Sequence, residues 1–147
     1  MARYIHMYHD LGYNVLAPDD RAAGESEGDA IGYGWTDRLD YVKWAQKIVA
    51  TNGQDSQIAL FGVSMGGATV MFTAGEKLPK QVKAVIEDCG YNSIADELAY
   101  QLNDLFGLPK FPLFYTTNWM ARVRAGYNFN DGDTAKSLAN SKLPIFR

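Results

Sequence analysis

The segment Gly62-Val63-Ser64-Met65-Gly66 places a serine between two glycines, and the residues around it define where such a hydroxyl could act. Gln57-Ile58-Ala59-Leu60-Phe61 before it reads as a short buried strand, and Met65 to Gly75 after it as a helix. A serine at that junction sits on a sharp turn that lifts its oxygen above the sheet edge. Glycine at 62 and 66 is expected to clear the space around it. The helix start supplies unpaired backbone N–H groups and the positive end of the helix dipole, which favour developing negative charge. The N–H of Met65 is the natural first donor to an oxyanion, and one such donor is worth about a hundred- to a thousandfold in rate. The chemistry implied is nucleophilic acyl transfer.

A rival reading uses the same residues. Gly62-x-Ser64-x-x-Gly67 loosely imitates the G-x-G-x-x-G dinucleotide fingerprint, and Asp88 ends the next strand near the place of a ribose-binding carboxylate. The second glycine is missing, and a serine side chain there would obstruct the approach of a pyrophosphate. A third reading is a hydrolase-like remnant that only binds, because a serine hydroxyl needs a base and no histidine follows Ser64.

The elements that must position the serine alternate along the chain. Ala2 to Leu11 has helical periodicity and stops at Gly12; Tyr13 to Ala17 is a short apolar run ended by Pro18, predicted as a strand. Asp19 to Gly34 reads as an exposed loop in which Asp19 and Arg21 are expected to pair. Thr36 is the expected cap of a helix carrying Leu39, Val42, Ala45 and Val49, with Asn52-Gly53 as its stop. Val82 to Ile86 and Leu143 to Phe146 read as further strands, and Gly90 to Asn140 as helical and rich in aromatics that should pack as core or cap. Strand and helix in alternation predict an α/β fold with a mostly parallel sheet and flanking helices.

Composition bounds the remaining classes. The 147 residues suffice for one core, and 47% hydrophobic with 21% charged residues is ordinary globular composition. The net charge of -3 and scattered basic residues argue against nucleic acid as a partner, and no apolar run approaches a membrane span. Cys89, the single cysteine, is expected to be a small buried hydrophobe and is compatible with a reducing compartment. A cytoplasmic location is the expectation, with membrane or surface attachment left open should an N-terminal segment precede this sequence. His6 and His9 lie three apart on the first helix, where a metal site would need a third ligand that is not apparent; they are expected to be surface or packing residues. No metal or cofactor is expected.

Ala17-Pro18-Asp19-Asp20-Arg21-Ala22-Ala23-Gly24-Glu25-Ser26, the Gly62 to Gly67 turn and Glu87-Asp88-Cys89-Gly90-Tyr91 together resemble serine hydrolases of the α/β-hydrolase superfamily, notably the bacterial esterase-like and aminopeptidase-like cell-surface group. The resemblance covers essentially the whole of residues 1–147 as a partial domain and implies a small-molecule ester or amide substrate. It implies that Tyr13 to Pro18 is the fourth strand of that fold, the next two strands the fifth and sixth, and Leu143 to Phe146 the start of the seventh. Residues 90–140 would be the cap. Ser64 would be the nucleophile and Met65 N–H an oxyanion donor, with Gly62, Gly66 and Gly67 supporting the turn. The family's acid normally follows the seventh strand; Asp88 is the one substitute on the same sheet edge, against the plainer role of bonding backbone amides in the turn after it. Ala22-Ala23 stands where such enzymes commonly carry Gly-His. The family's first three strands would be missing, and since the third lies between the fourth and fifth in that fold, the resemblance implies a gap between those two and a tendency to self-associate through unpaired edges.

Overall fold

The computed structural model describes all residues from Met1 to Arg147. Three strands, β1 (Ile58–Val63), β2 (Val82–Asp88) and β3 (Ile145–Phe146), form one parallel sheet in the order β1-β2-β3. Six helices accompany it: α1 (Ala2–Asp10), α2 (Arg38–Asn52), α3 (Met65–Ala74), α4 (Ile94–Phe106), α5 (Leu113–Arg124) and α6 (Thr134–Ala139). The predicted α/β class with a parallel sheet and flanking helices is what the chain adopts.

Helix α3 is the centre of the molecule. Its sequence is apolar on every side, and residues 67–74 are all buried, as such a helix must be to exist in water. Val70 and Ala74 join Ile58, Leu60, Val82, Val85 and Ala45 of α2 in one core. Ala68 and Phe72 join Ile94, Ala95, Phe114, Tyr127 and Phe129 in a second, formed with the helical region after β2. The hydroxyls of Thr69 and Thr73, buried within this helix, donate to the carbonyls of Met65 and Thr69 at 2.8 and 2.7 Å, so neither polar group is left unpaired. The opposite face of the sheet takes α1, where Tyr4 and Tyr8 pack their rings 5.0 Å from that of Phe61.

The loop before α2 is organised by acids. Asp37 is buried, and its carboxylate accepts the N–H groups of Arg21 and Gly34 at 2.9 and 3.2 Å. Tyr91 and Tyr127 donate their hydroxyls to the carbonyls of Tyr33 and Ile31 at 2.6 and 3.0 Å, tying this loop to segments far along the chain. Burial raises both phenols, Tyr127 to about 12, so they remain protonated donors.

Several expectations need correction. Tyr13 to Ala17 is not a strand: it joins no sheet and every residue of it is exposed, because an extended run becomes a strand only when a neighbour accepts its backbone groups. Arg21 pairs with Asp40 (Nη2 to Oδ1, 3.0 Å), whereas Asp19 accepts the N–H of Glu25. Asp37, not Thr36, precedes α2, and its carboxylate serves the loop instead of the helix start. The last strand is only two residues long. Cys89 is exposed. Among the later aromatics Phe114, Tyr127 and Phe129 are core, but Tyr100, Phe106, Phe111, Tyr115 and Trp119 face outward.

Two expectations follow. In β1 the residues facing β2 are Ile58, whose N–H reaches Gln81, and those alternating with it, so the main-chain groups of Ala59, Phe61 and Val63 point to an unpaired edge. Hydrogen exchange at high dilution should find these three amides fast and those of Leu60 and Gly62 slow; protection that appears only on concentrating the protein would show copies pairing along β1. Asp20 has a buried Oδ1 without a donor, and desolvation, then the charge of Asp37, raises its carboxyl above the ordinary value. A raised folded-state value means that the ionised carboxylate weakens folding at neutral pH and ceases to do so once protonated. Asp20→Asn should therefore raise Tm near pH 7, with the gain vanishing as pH falls below the ordinary aspartate range.

Candidate active site

Strand β1 ends at Val63, α3 begins at Met65, and the single residue between them turns the chain. Ser64 does this with φ 53° and ψ -116°, a left-handed conformation that costs a non-glycine residue on the order of 1–3 kcal/mol and persists only when its surroundings enforce it. What enforces it is visible. The N–H of Ser64 donates to the carbonyl of Asp88 at 2.8 Å, continuing the β1–β2 ladder one residue past the strand, while the carbonyl of Ser64 accepts the N–H of Ala68 at 3.1 Å and starts the helix. Ser64 is thus strand on one side and helix on the other.

The residue is exposed, and its side chain makes no capping hydrogen bond. The N–H groups of Met65, Gly66 and Gly67 have no acceptor within the chain, as expected of a helix's first turn. No acidic side chain occupies that turn. A free hydroxyl therefore stands beside unpaired donors at the positive end of the most buried helix in the molecule, an arrangement suited to a developing oxyanion.

The glycines divide by function in a way that the motif alone does not show. A Cβ on Gly62 would lie 2.0 Å from the carbonyl oxygen of Gly66. A Cβ on Gly67 would lie 3.0 Å from the Cα of Gly90, and one on Gly90 would lie 2.8 Å from the N of Ala68. Helix α3 and the turn after β2 touch backbone to backbone through this glycine pair. Gly66 has open space, so glycine there is not a steric requirement, contrary to expectation.

The turn after β2 presents two carboxylates with different duties. Asp88 aligns with Val63 in the sheet, but its carboxylate accepts the Tyr4 hydroxyl (2.9 Å) and the Cys89 thiol (3.1 Å) and makes no hydrogen bond to Ser64. The Cys89 thiol first, then the Tyr4 hydroxyl, hold the Asp88 carboxyl below its usual range; the same bond pushes the thiol up, so Cys89 stays protonated and is a poor competing nucleophile. The backbone-bonding role considered for Asp88 belongs to Glu87, whose buried Oε2 accepts the Gly90 N–H at 2.8 Å and whose Oε1 meets Arg147 at 3.0 Å. Glu87 could have been found from the sequence: it lies two residues after Val85 and so shares its face toward the core, and a charge on a buried face must be paired. Tyr4 carried no such signal, because only the packing of α1 on the sheet brings it near.

His6 and His9 are exposed on α1, and neither is hydrogen-bonded to Ser64. No three His, Cys, Asp or Glu side chains converge to hold a metal ion. A depression of about 790 Å³ is lined by residues of the 19–29 loop, Asp37 and α2, and includes none of the Ser64 turn.

Substitution separates the glycine roles. Gly62→Ala and Gly90→Ala should each lower stability by at least about 1–3 kcal/mol, the range for overpacking a tight interior. Gly66→Ala should be neutral or stabilising by up to about 1 kcal/mol, the helix-propensity difference. Urea unfolding of the three variants checks this; equal losses at 62 and 66 would contradict the assignment.

Comparison with known proteins agrees with the geometry. A relative from Bacillus subtilis (strain 168), named Uncharacterized protein YqkD, is 31% identical over 143 residues, covering 97% of this chain and 47% of its own length. The chain thus spans about half the length of the curated relative it matches. No solved structure matches it. The family described as alpha/beta hydrolase fold matches residues 5–136. With a parallel sheet, a central buried helix and a strained serine at their junction, and with that match over most of its length, the chain belongs to the alpha/beta hydrolase fold family.

Proposed function

We propose that this chain provides the nucleophile of a serine hydrolase that cleaves an ester or amide through an acyl-enzyme. The observation that carries the reading is Ser64 itself, exposed and strained in front of unpaired N–H groups. Ser64 Oγ attacks the carbonyl carbon, its proton passes to a base, and the carbonyl oxygen becomes an oxyanion facing the Met65 N–H. Collapse expels the alcohol or amine and leaves an ester on Ser64, which water then hydrolyses. Asp88 is retained as a candidate acid only through another group, since its carboxylate is engaged by Tyr4 and Cys89.

No side chain hydrogen-bonds the Ser64 hydroxyl as a base would. No histidine follows it in the sequence, and in serine hydrolases loss of the base lowers kcat by on the order of a millionfold. This polypeptide is therefore proposed to acylate slowly and to turn over little. That same feature favours a second reading, a binding module that retains the turn without catalysis. The dinucleotide alternative gains no support, because a serine stands where the fingerprint needs its second glycine and the Asp88 carboxylate is tied to Tyr4.

A fluorophosphonate probe with peptide mass spectrometry decides between them. The hydrolase reading expects one slow adduct, on Ser64, lost in Ser64→Ala, with steady hydrolysis of p-nitrophenyl acetate no faster than in that variant. Adducts scattered over tyrosines, or none at Ser64, would leave only the binding module.

A further inference from the structure

Of the eight asparagines in the chain Asn52 alone is followed by glycine, and of the aspartates Asp131 alone is. A glycine in that place leaves the next backbone nitrogen unshielded by a side chain, so the side-chain carbonyl carbon can close onto it as a five-membered imide. Asparagine closes the more readily because it expels ammonia, and it is among the residues that heat degrades.

The structure puts the two dipeptides in opposite settings. Gly132 is buried, and a Cβ on it would lie 2.3 Å from Cδ1 of Ile94. Its carbonyl accepts the Ile94 N–H at 3.0 Å, and the Asp131 carboxylate accepts the Asn128 N–H at 2.9 Å, so neither partner is free to turn toward the other. At the end of α2, by contrast, every residue from 50 to 55 is exposed. Gly53 has open space around its Cβ position and leaves the helix at once, with φ 95° and ψ 173°. One restraint holds the reacting nitrogen, a hydrogen bond from the Gly53 N–H to the Val49 carbonyl at 2.9 Å. That bond is the last of the helix, and helix ends fray by local opening. Other asparagines are held more firmly: the side chains of Asn118 and Asn128 bond each other at 3.2 Å, that of Asn92 accepts the Thr134 hydroxyl, and that of Asn140 donates to the Lys136 carbonyl.

We propose that Asn52-Gly53 is a site of self-modification, at which the folded chain converts an amide to aspartate and isoaspartate. Solvent base removes the proton of the Gly53 nitrogen, which attacks Cγ of Asn52. The new N–C bond closes the ring, the Cγ–Nδ2 bond breaks, and ammonia leaves with a proton from water. Water then opens the imide at either carbonyl, giving aspartate or, where the main chain now runs through the side chain, isoaspartate. Either product puts a carboxylate at the negative end of the α2 dipole, in a last turn that holds no basic side chain. Isoaspartate also lengthens the connection to β1 by one carbon, just before Gly53 and Gln54, whose carbonyls accept the Ser56 hydroxyl at 2.7 Å and the Gln81 side-chain amide at 3.1 Å.

The test is incubation of the full 147-residue chain in mildly alkaline buffer, followed by trypsin digestion and mass spectrometry against a zero-time control. The mass gain of an amide becoming an acid should appear first in the peptide from Ile48 to Lys77, where Asn52 is the only asparagine, and fragmentation should place it at Asn52 and not at Gln54 or Gln57. The gain should quicken as pH rises, the chain should become a substrate for isoaspartyl methyltransferase, and its Tm should drift down. Asn52→Gln, at an exposed position, should lose all three changes, because its longer side chain closes only to a six-membered ring. A parallel sample unfolded in urea measures the reactivity of the bare sequence. Modification at Asn52 in urea but not in the folded chain would show that the helix end keeps the nitrogen closed and would overturn the proposal, as would earlier modification at another asparagine or at Asp131.

Discussion

The structure depends on one close approach, that of the first turns of α3 to the turn that follows β2. Gly67 and Gly90 meet there without side chains between them, and the Ser64 N–H reaches the Asp88 carbonyl. Because the helix lies so near the strand end, the connection from β1 to α3 has only one residue in which to reverse direction. The left-handed geometry of Ser64 follows from that shortage of chain. Glu87 secures the other side by holding the Gly90 N–H from within the core. Strain at the serine is therefore a product of packing on three sides and not an isolated oddity of the turn.

The same approach explains why two apolar cores form around one helix. One face of α3, through Val70 and Ala74, packs with α2 and the strands, and another, through Ala68 and Phe72, packs with the chain after β2. A helix without a polar face must be covered all round, and the region between Gly90 and Asn140 supplies the cover that the short sheet cannot. That region is thus part of the fold at its base, through Ile94, Phe114, Tyr127 and Phe129, even though its far end stands free.

Legibility in the sequence followed the range of the forces concerned. Local signals sufficed for α1, α2, β1, α3 and β2, since periodicity, glycine stops and the Gly-x-Ser-x-Gly turn act within a few residues. They failed at Tyr13 to Ala17, where the composition of a strand is present but the neighbour is not, and a ladder is a property of two segments. They failed again for Arg21 and Cys89. Arg21 found its acid on the following helix, and Cys89, with φ 56°, is turned out to solvent by the very bend that seats Gly90. Ser64 was found because its requirement is backbone geometry. Its surroundings were not, because Tyr4 and Glu87 reach the site from a helix 60 residues earlier and a strand 23 residues later.

The two tyrosine hydroxyls that hold the carbonyls of Ile31 and Tyr33 join segments 96 and 58 residues apart. During synthesis the loop in front of α2 has therefore left the ribosome long before either anchor exists. Its final shape, with Gly34 pressed against Thr69 of α3, can be set only after Tyr91 and then Tyr127 emerge. Early and late parts of the polypeptide lock together in one closing step, and the wall of the central helix is finished from the C-terminal side.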